Sequence, residues 1–463
     1  MSPAKKRVST AFHDPVAPPD ARRAAGKSLR SLVPRTSHGG WSPSSDRADP
    51  VEVLVESNRT RQPDLVPLRY ARMASSPFAF LRGSALVMAL DLATTPMAGP
   101  EVMICGDAHL ANFGLYASPE RRLVFDLNDF DEACTGPFEF DLKRLAASIV
   151  VAGRERGLDR AATTLLVVDA IDHYRDHMDE YAEMTRLDVY YSRLDAEDLL
   201  ALADSGNRGR ADEFFRKVMG KNHLRALNKL TRQIDDRWEI LHDPPIVMPW
   251  HGPRLQERLD SALVTYHESL PYERQLLFEQ YRFVDFARKV VGVGSVGTRC
   301  WMVLLVGPNG GPLFLQLKEA RQAVPHIALQ LPPAEHEGRR VVEAQRSLQA
   351  VSDILLGWTT DDVDGTQYFV RQMWDAKGSF DIPTMRPAGF RGYVRACAWA
   401  LARAHARTGD PATIAGYLGT ADTFATAIAG FAEDYADQTV RDHAALVAAL
   451  ADGRLPAWTE SVA

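Results

Sequence analysis

The chain has 463 residues, 46% hydrophobic and 25% charged, with a formal net charge of −6, which fits two or three packed units and excludes a chain-wide electrostatic footprint for nucleic acid. Its four scattered cysteines (Cys105, Cys134, Cys300, Cys397) show neither zinc-ligand spacing nor a disulfide framework. No apolar run approaches the roughly 18 residues of a membrane span and no apolar leader opens the chain, so a cytoplasmic protein with no nucleic-acid or membrane partner is expected.

Residues 1–49 are rich in Pro, Ser, Ala, Arg and Lys, and Met1–Arg35 holds eight Lys or Arg against two acids. That composition reads as a disordered, solvated basic tail. Short helices are expected at 50–57, 65–74 and 84–93, then a buried strand at 102–105 ending in Gly106-Asp107. Residues 105–142, CGDAHLANFGLYASPERRLVFDLNDFDEACTGPFEFDL, crowd Asp107, Asp126, Asp129, Asp131, Glu132, Glu139 and Asp141 around apolar runs. Those runs, Leu115–Tyr116 and Leu123–Phe125, predict two short strands about a turn at Ser118–Arg122. A helix with an apolar face (Leu142, Leu145, Ala146, Ile149, Val150) follows at 140–156.

Residues 158–280 read as a helical block, with helices at 160–183, 195–204, 210–219, 222–233, 253–266 and 271–279, broken by a Pro-rich stretch at 242–249. The pattern changes after Tyr281. A strand at 283–291 leads to GVGSVG (Gly292–Gly297), then to two strands, Cys300–Val306 and Leu313–Leu317, about a GPNGGP turn. A helix at 335–355, a strand at 368–373 and helices at 391–407, 420–436 and 438–451 complete the chain. The expected organisation is a tail (1–49), a catalytic-loop and helical lobe (50–280), a Gly-rich-loop β lobe (281–375) and C-terminal helices completing the helical lobe (376–463).

Gly292, Gly294 and Gly297 form a GxGxxG. In a dinucleotide-binding unit the third glycine opens a helix. Here TRCWMVLLV follows, a strand, then a turn and a second strand. That is the order of a kinase phosphate loop, in which backbone N–H groups, here with Ser295 among them, cover phosphates. A Gly-rich hairpin of no chemical role has the same local pattern. Lys318 ends the alternating run LFLQLK, the place of a kinase phosphate-contacting lysine. Such a lysine takes a carboxylate from the next helix, where Glu335, Glu337 and Glu343 stand; Glu343, among Val341, Val342 and Leu348, is expected nearest the packed face. Glu319 points to the other face of the strand.

Asp107 and Asn112 are five positions apart, the spacing of a kinase catalytic base and its metal-binding amide. The carboxylate then faces an attacking hydroxyl while the amide oxygen turns back to Mg²⁺. The returning strand leads to Asp126, Asp129 and Asp131. Asp129 of Asp-Phe-Asp is the expected second metal ligand, with Asp126 as the alternative. Hard oxygen ligands suit Mg²⁺ or Mn²⁺. His109 is a candidate to orient Asp107 or touch phosphate, or a packed histidine. Asp141 reads as an N-cap or an anchor for the loop. Arg82, Arg144 and Arg371 are further cationic candidates, with structural pairing as the ordinary alternative.

The strings CGDAHLANFG, FDLNDFDEACTGPFEFDLKRLAAS, VVGVGSVGTRC, LQLKEA and LARAHARTGD, in that order over most of residues 50–440, resemble the bacterial family called domain of unknown function 2252. Within them, GDAHLANF followed by DFDEACTGPFEFDL is similar to the GDxHxxN and DFG-like segments of aminoglycoside phosphotransferases and choline-kinase-like enzymes. The resemblance implies Asp107 as catalytic Asp, Asn112 and Asp129 as metal ligands, and Asp141 as the brace of the loop. In those kinases the Gly-rich loop and lysine come first, whereas here they follow the catalytic loop. The expectation is therefore an α+β, protein-kinase-like, two-lobed fold, circularly permuted, with a large helical lobe and a small antiparallel β lobe. The helix at 393–407, which resembles the one that normally precedes a catalytic loop, agrees with this. The implied activity is ATP- and Mg²⁺-dependent phosphoryl transfer to a hydroxyl of a small-molecule acceptor. AMP transfer by the same site and a non-catalytic nucleotide-binding module are the alternatives.

Overall fold

The computed structural model describes residues 15–458, apart from 203–204, 221–226, 228, 235–236, 250–254, 291, 293 and 374–376. It is a mixed α+β fold, a large helical region with smaller antiparallel sheets. The largest sheet runs in the order Gly357–Thr360, Gln367–Gln372, Pro312–Glu319, Cys300–Val306, Arg282–Lys289, Val247–Pro249, each neighbouring pair antiparallel.

Alternation along PLFLQLKE gives this sheet its two faces. Leu313, Leu315 and Leu317 join Trp301, Val303 and Val370 in a core with Leu259 and Tyr266 of the helix Leu255–Ser269. Phe314, Gln316 and Lys318 point the other way. Lys318, one residue from the end of its strand, lies between Cys300 and Phe369 on the neighbouring strands and is 2% exposed, so it is an interior lysine and not an exposed one.

The helical region is centred on Phe138–Glu155, buried from Phe138 to Gly153. It packs against Arg160–Glu183 and Thr423–Ala451, and Pro387–Thr408 packs on Arg160–Glu183. Two small sheets attach the acidic stretch. The expected hairpin is present: Phe113–Ala117 pairs with Leu123–Leu127, Phe113 opposite Leu127 and Ala117 opposite Leu123. Glu101–Ile104 pairs with Cys134–Pro137, which closes the whole loop between Cys105 and Ala133 at its base.

Some expectations give way. Residues 19–49 are ordered, not a disordered tail. The helix Pro19–Ser28 crosses Pro411–Leu418 so closely that a Cβ on Gly26 would lie 1.9 Å from the Thr413 carbonyl oxygen, and one on Gly416 would lie 2.2 Å from that of Arg23. The basic residues have partners there: Arg30 donates to Tyr417 O (2.9 Å) and Arg35 to Leu418 O (2.5 Å), carbonyls that the end of a helix leaves free. Residues 1–14 of the expected tail lie outside the described residues. Within the expected helix 222–233, Thr231–Ile234 is instead a strand paired with Arg237–Ile240, and 221–226 and 228 lie outside the described residues. The two C-terminal helices are one, Thr423–Ala451. Among the described residues no helix is long and apolar enough to cross a membrane.

Candidate functional site

The site begins at a turn only glycine can make. Gly106 has φ +75°, and a Cβ there would lie 2.0 Å from the Glu132 carbonyl oxygen. Asp141, in the first turn of Phe138–Glu155, accepts from the Cys105 N–H at 2.6 Å and the Gly106 N–H at 2.9 Å. His405 Nε2 lies 3.2 Å from the same carboxylate, and Tyr174 holds the far ring nitrogen of His405 at 2.9 Å. Asp141 therefore anchors the loop and does not cap the helix.

Arg144 stands three residues along the same helix, on the same face. Its Nε and Nη2 lie 2.8 and 2.7 Å from Asp107 Oδ1, and Nη2 also donates to Leu81 O at 2.6 Å. One helix face thus fixes both the backbone of the loop and its carboxylate. Burial pushes the Asp107 carboxyl up to about 6, against the pull of Arg144 and Arg82. His109 Nε2 is 3.6 Å from Asp107 Oδ2, beyond a hydrogen bond. Burial, with Arg144 and Arg82 beside it, holds the His109 imidazole far below its ordinary range, so the ring is neutral.

Asn112 donates through Nδ2 to Asp107 O (3.0 Å), Asp129 O (3.1 Å) and Cys105 Sγ (3.3 Å). Two carbonyl acceptors fix the amide orientation and turn Oδ1 away from them. Asp129 and Asp131 flank Lys318. Its ammonium is 3.3 Å from Asp129 Oδ1 and makes a closer contact with Asp131 Oδ2. Partial desolvation opposes ionisation of Asp129, but Lys318 and Arg371 outweigh it and hold that carboxyl below its usual range. Burial and the neighbouring Asp129 charge push Asp131 up instead. Asp131 Oδ1 is buried with no hydrogen-bond partner, while the Asp129 side chain is 43% exposed.

The Gly-rich loop reaches the same place. Ser295 Oγ lies 3.5 Å from Asp131 Oδ2, and a Cβ on Gly294 would sit 3.3 Å from Arg82 O. Gly297 has φ +86°, and its carbonyl accepts from the Gln62 N–H at 2.8 Å; Arg61 donates to Val296 O at 2.6 Å. Gly292 lies at the exposed start of the loop. Arg371 donates to Gln316 Oε1 (2.9 Å) and Asn128 O (3.3 Å), beside Asp129. Asp107, Asn112, Asp129, Lys318, Gly294 and Ser295 thus belong to one cluster.

Asp126 and Glu343 stand apart from it. Asp126 is fully buried and both its oxygens are engaged: Arg403 Nη2 lies 2.6 and 2.7 Å from them, with the Leu127 and Ala350 N–H groups at 2.9 Å. It is the partner of an interior arginine and is not turned to a metal. Glu343 is on the solvent face of Glu337–Leu348, 52% exposed, and pairs with Arg339 at 2.7 Å. The residues that helix turns inward are Val341, Val342, Ala344, Gln345 and Leu348. Its contribution to the site is Arg340, which pairs with Glu337 at 2.5 Å and donates to Asp131 O at 2.7 Å. The Glu337–Arg340 spacing was the available sequence signal for it.

Among the described residues, no group of three or more His, Cys, Asp or Glu forms a self-sufficient metal cage. The donors present are an orphaned Asp131 oxygen, an open Asp129 carboxylate and the Asn112 amide oxygen. They fit Mg²⁺, which is commonly held by one or two carboxylates together with the phosphates of a substrate. A cavity lined by Leu259, Phe286, Trp301, Leu317 and Tyr368 together with the paired Arg258 and Asp361 lies behind the opposite face of the sheet and shares no residue with this cluster.

Residues 61–449 match the sequence profile of a family described as an uncharacterized protein conserved in bacteria, DUF2252. The chain belongs to the DUF2252 family. In this DUF2252 chain the matched span contains every residue of the cluster. No curated protein and no solved structure gives a significant match to it.

Proposed function

We propose that this DUF2252 protein is an ATP- and Mg²⁺-dependent phosphotransferase of the protein-kinase-like kind, acting on a hydroxyl of a small-molecule acceptor. The observation that carries this reading is convergence. Lys318 and Asp129 meet although 189 positions separate them, and the Asp107–Asn112 loop and Ser295 of the Gly-rich loop reach the same Asp129–Asp131 segment. The reversed order of the halves is read as a circular permutation of a two-lobed kinase-like fold. In support, Thr408 at the end of Pro387–Thr408 accepts from the Met103 N–H at 3.1 Å, so the LARAHART helix ends against the strand leading into the Asp107 loop.

In this mechanism Arg144 holds Asp107 Oδ1 and leaves Oδ2 for the acceptor hydroxyl. The hydroxyl oxygen forms a bond to the terminal phosphorus as the bond from phosphorus to ADP breaks, and its proton passes to Asp107. Asn112 and Asp129, with Asp131, would hold Mg²⁺; when bound, the ion neutralises charge on the phosphate oxygens. Lys318 contacts the inner phosphates, and the N–H groups of Gly292, Gly294, Ser295 and Gly297 cover them. Most of the rate gain on this reading comes from positioning and fixed charge.

Radiolabelled ATP tests it. With extracts as the source of acceptor, γ-label is expected in a small-molecule product and α-label is not. Transfer of α-label would make the protein an AMP transferase. Mg²⁺-dependent ATP binding with neither label transferred would leave a nucleotide-binding module.

A further inference from the structure

Arg82 sits near the end of the helix Pro77–Gly83, between the two halves of the site. The carbonyl before it, on Leu81, is held by Arg144, and its own carbonyl lies against Gly294 of the loop. Its guanidinium has no hydrogen bond or ion pair among the described residues, and its Nε is fully buried without an acceptor. Burial disfavours its charge, and the Asp107 carboxylate favours it. That carboxylate is already held on Oδ1 by Arg144.

A mostly buried guanidinium without an acceptor is unfavourable by itself. Its planar fork matches two oxygens of an oxyanion. We infer that Arg82 binds a phosphate-type oxyanion beside Asp107, either the phosphoryl group in transfer or an anionic group on the acceptor, which would make the acceptor an already phosphorylated molecule. This rests on the phosphotransferase reading, because that reading brings both groups to Asp107. On either source Arg82 is a binding residue at the reacting end of the site, distinct from the Lys318 end.

The test is calorimetric titration of the full chain with Mg-ATP, with Mg-ADP, and with inorganic phosphate in the presence of Mg-ADP. Wild type, Arg82→Gln and Arg82→Lys are compared. Loss of a charge-assisted pair predicts weakening of about tenfold or more in Arg82→Gln, with Arg82→Lys between. ATP weakened with ADP unchanged assigns the oxyanion to the phosphoryl group in transfer. ATP and ADP unchanged with inorganic phosphate weakened assigns it to the acceptor. Unchanged affinity for all three overturns the inference. Should Arg82→Gln not fold, Arg82→Lys matching wild type for all three overturns it equally. A wild type that binds neither nucleotide defeats the phosphotransferase reading, while Arg82-dependent phosphate binding would still carry the oxyanion site.

Discussion

At the scale of single residues, the acids of this stretch are of two kinds, one to which the proposed function gives chemistry and one that holds the fold. Asp107 is the first kind. Its carboxyl is pushed up to about 6 by burial, so the folded chain favours the uncharged form. The stability this contributes is complete below the carboxyl's unfolded range and is lost as pH rises through about 6. On the proposed function turnover has the opposite dependence, since the ionised form takes the acceptor proton, and the rate should rise with pH through about 6. Asp107→Asn is expected to lower turnover by about 10²–10⁴-fold. Its melting temperature at pH 8 should equal or exceed that of wild type, which thermal melts at pH 5 and 8 would check. Asp126 is the second kind. Breaking its buried pair with Arg403 by Asp126→Ala should cost about 3–5 kcal/mol in denaturant titrations. Asp129→Ala should leave the fold intact, and Glu343→Gln should change stability by no more than about 0.5 kcal/mol. The five-residue spacing singled out Asp107 and Asn112 in the sequence, and the loop holds them together, Asn112 donating to the Asp107 carbonyl. Asp126 and Asp129 were not separable there, because what distinguishes them is an arginine 277 positions away in one case and a lysine 189 positions away in the other.

At the scale of elements, strands were readable where one face is buried. PLFLQLKE alternates, and its alternation places Lys318 opposite the leucines that pack on Leu255–Ser269. The hairpin Phe113–Ala117 and Leu123–Leu127 was readable for a similar reason, short apolar runs about a turn. The helix Pro19–Ser28 was not. Its own residues are small and basic, and what orders it is the glycine contact and the free carbonyls of Pro411–Leu418, nearly four hundred positions away. Composition reports only the local chain. Glu343 failed for a related reason: flanking apolar residues suggest a buried position, but a helix turns about 100° per residue and puts it on the far side of Val342 and Ala344. Gly416→Val, which would place side-chain atoms on the Arg23 backbone, should destabilise by about 1–3 kcal/mol. A lower urea midpoint with an unchanged slope is the expected record.

At the scale of the molecule, the site depends on parts that the chain order keeps apart. The acidic loop is closed at its base by Glu101–Ile104 with Cys134–Pro137, and braced from behind by Phe138–Glu155 and Pro387–Thr408 through Asp141 and His405. The lysine and Gly-rich loop arrive on the six-stranded sheet. Sequence could name both halves but could not place them against each other, because nothing in local pattern records a contact between residues 131 and 318. The measurement that tests the central claim most directly is calorimetric titration of ATP into the full chain with and without Mg²⁺, repeated on Lys318→Met, Asp129→Asn and Glu343→Gln. One Mg²⁺-dependent ATP per chain is expected, lost in Lys318→Met and Asp129→Asn and kept in Glu343→Gln. No binding by wild type, or binding that survives both site substitutions, would contradict it.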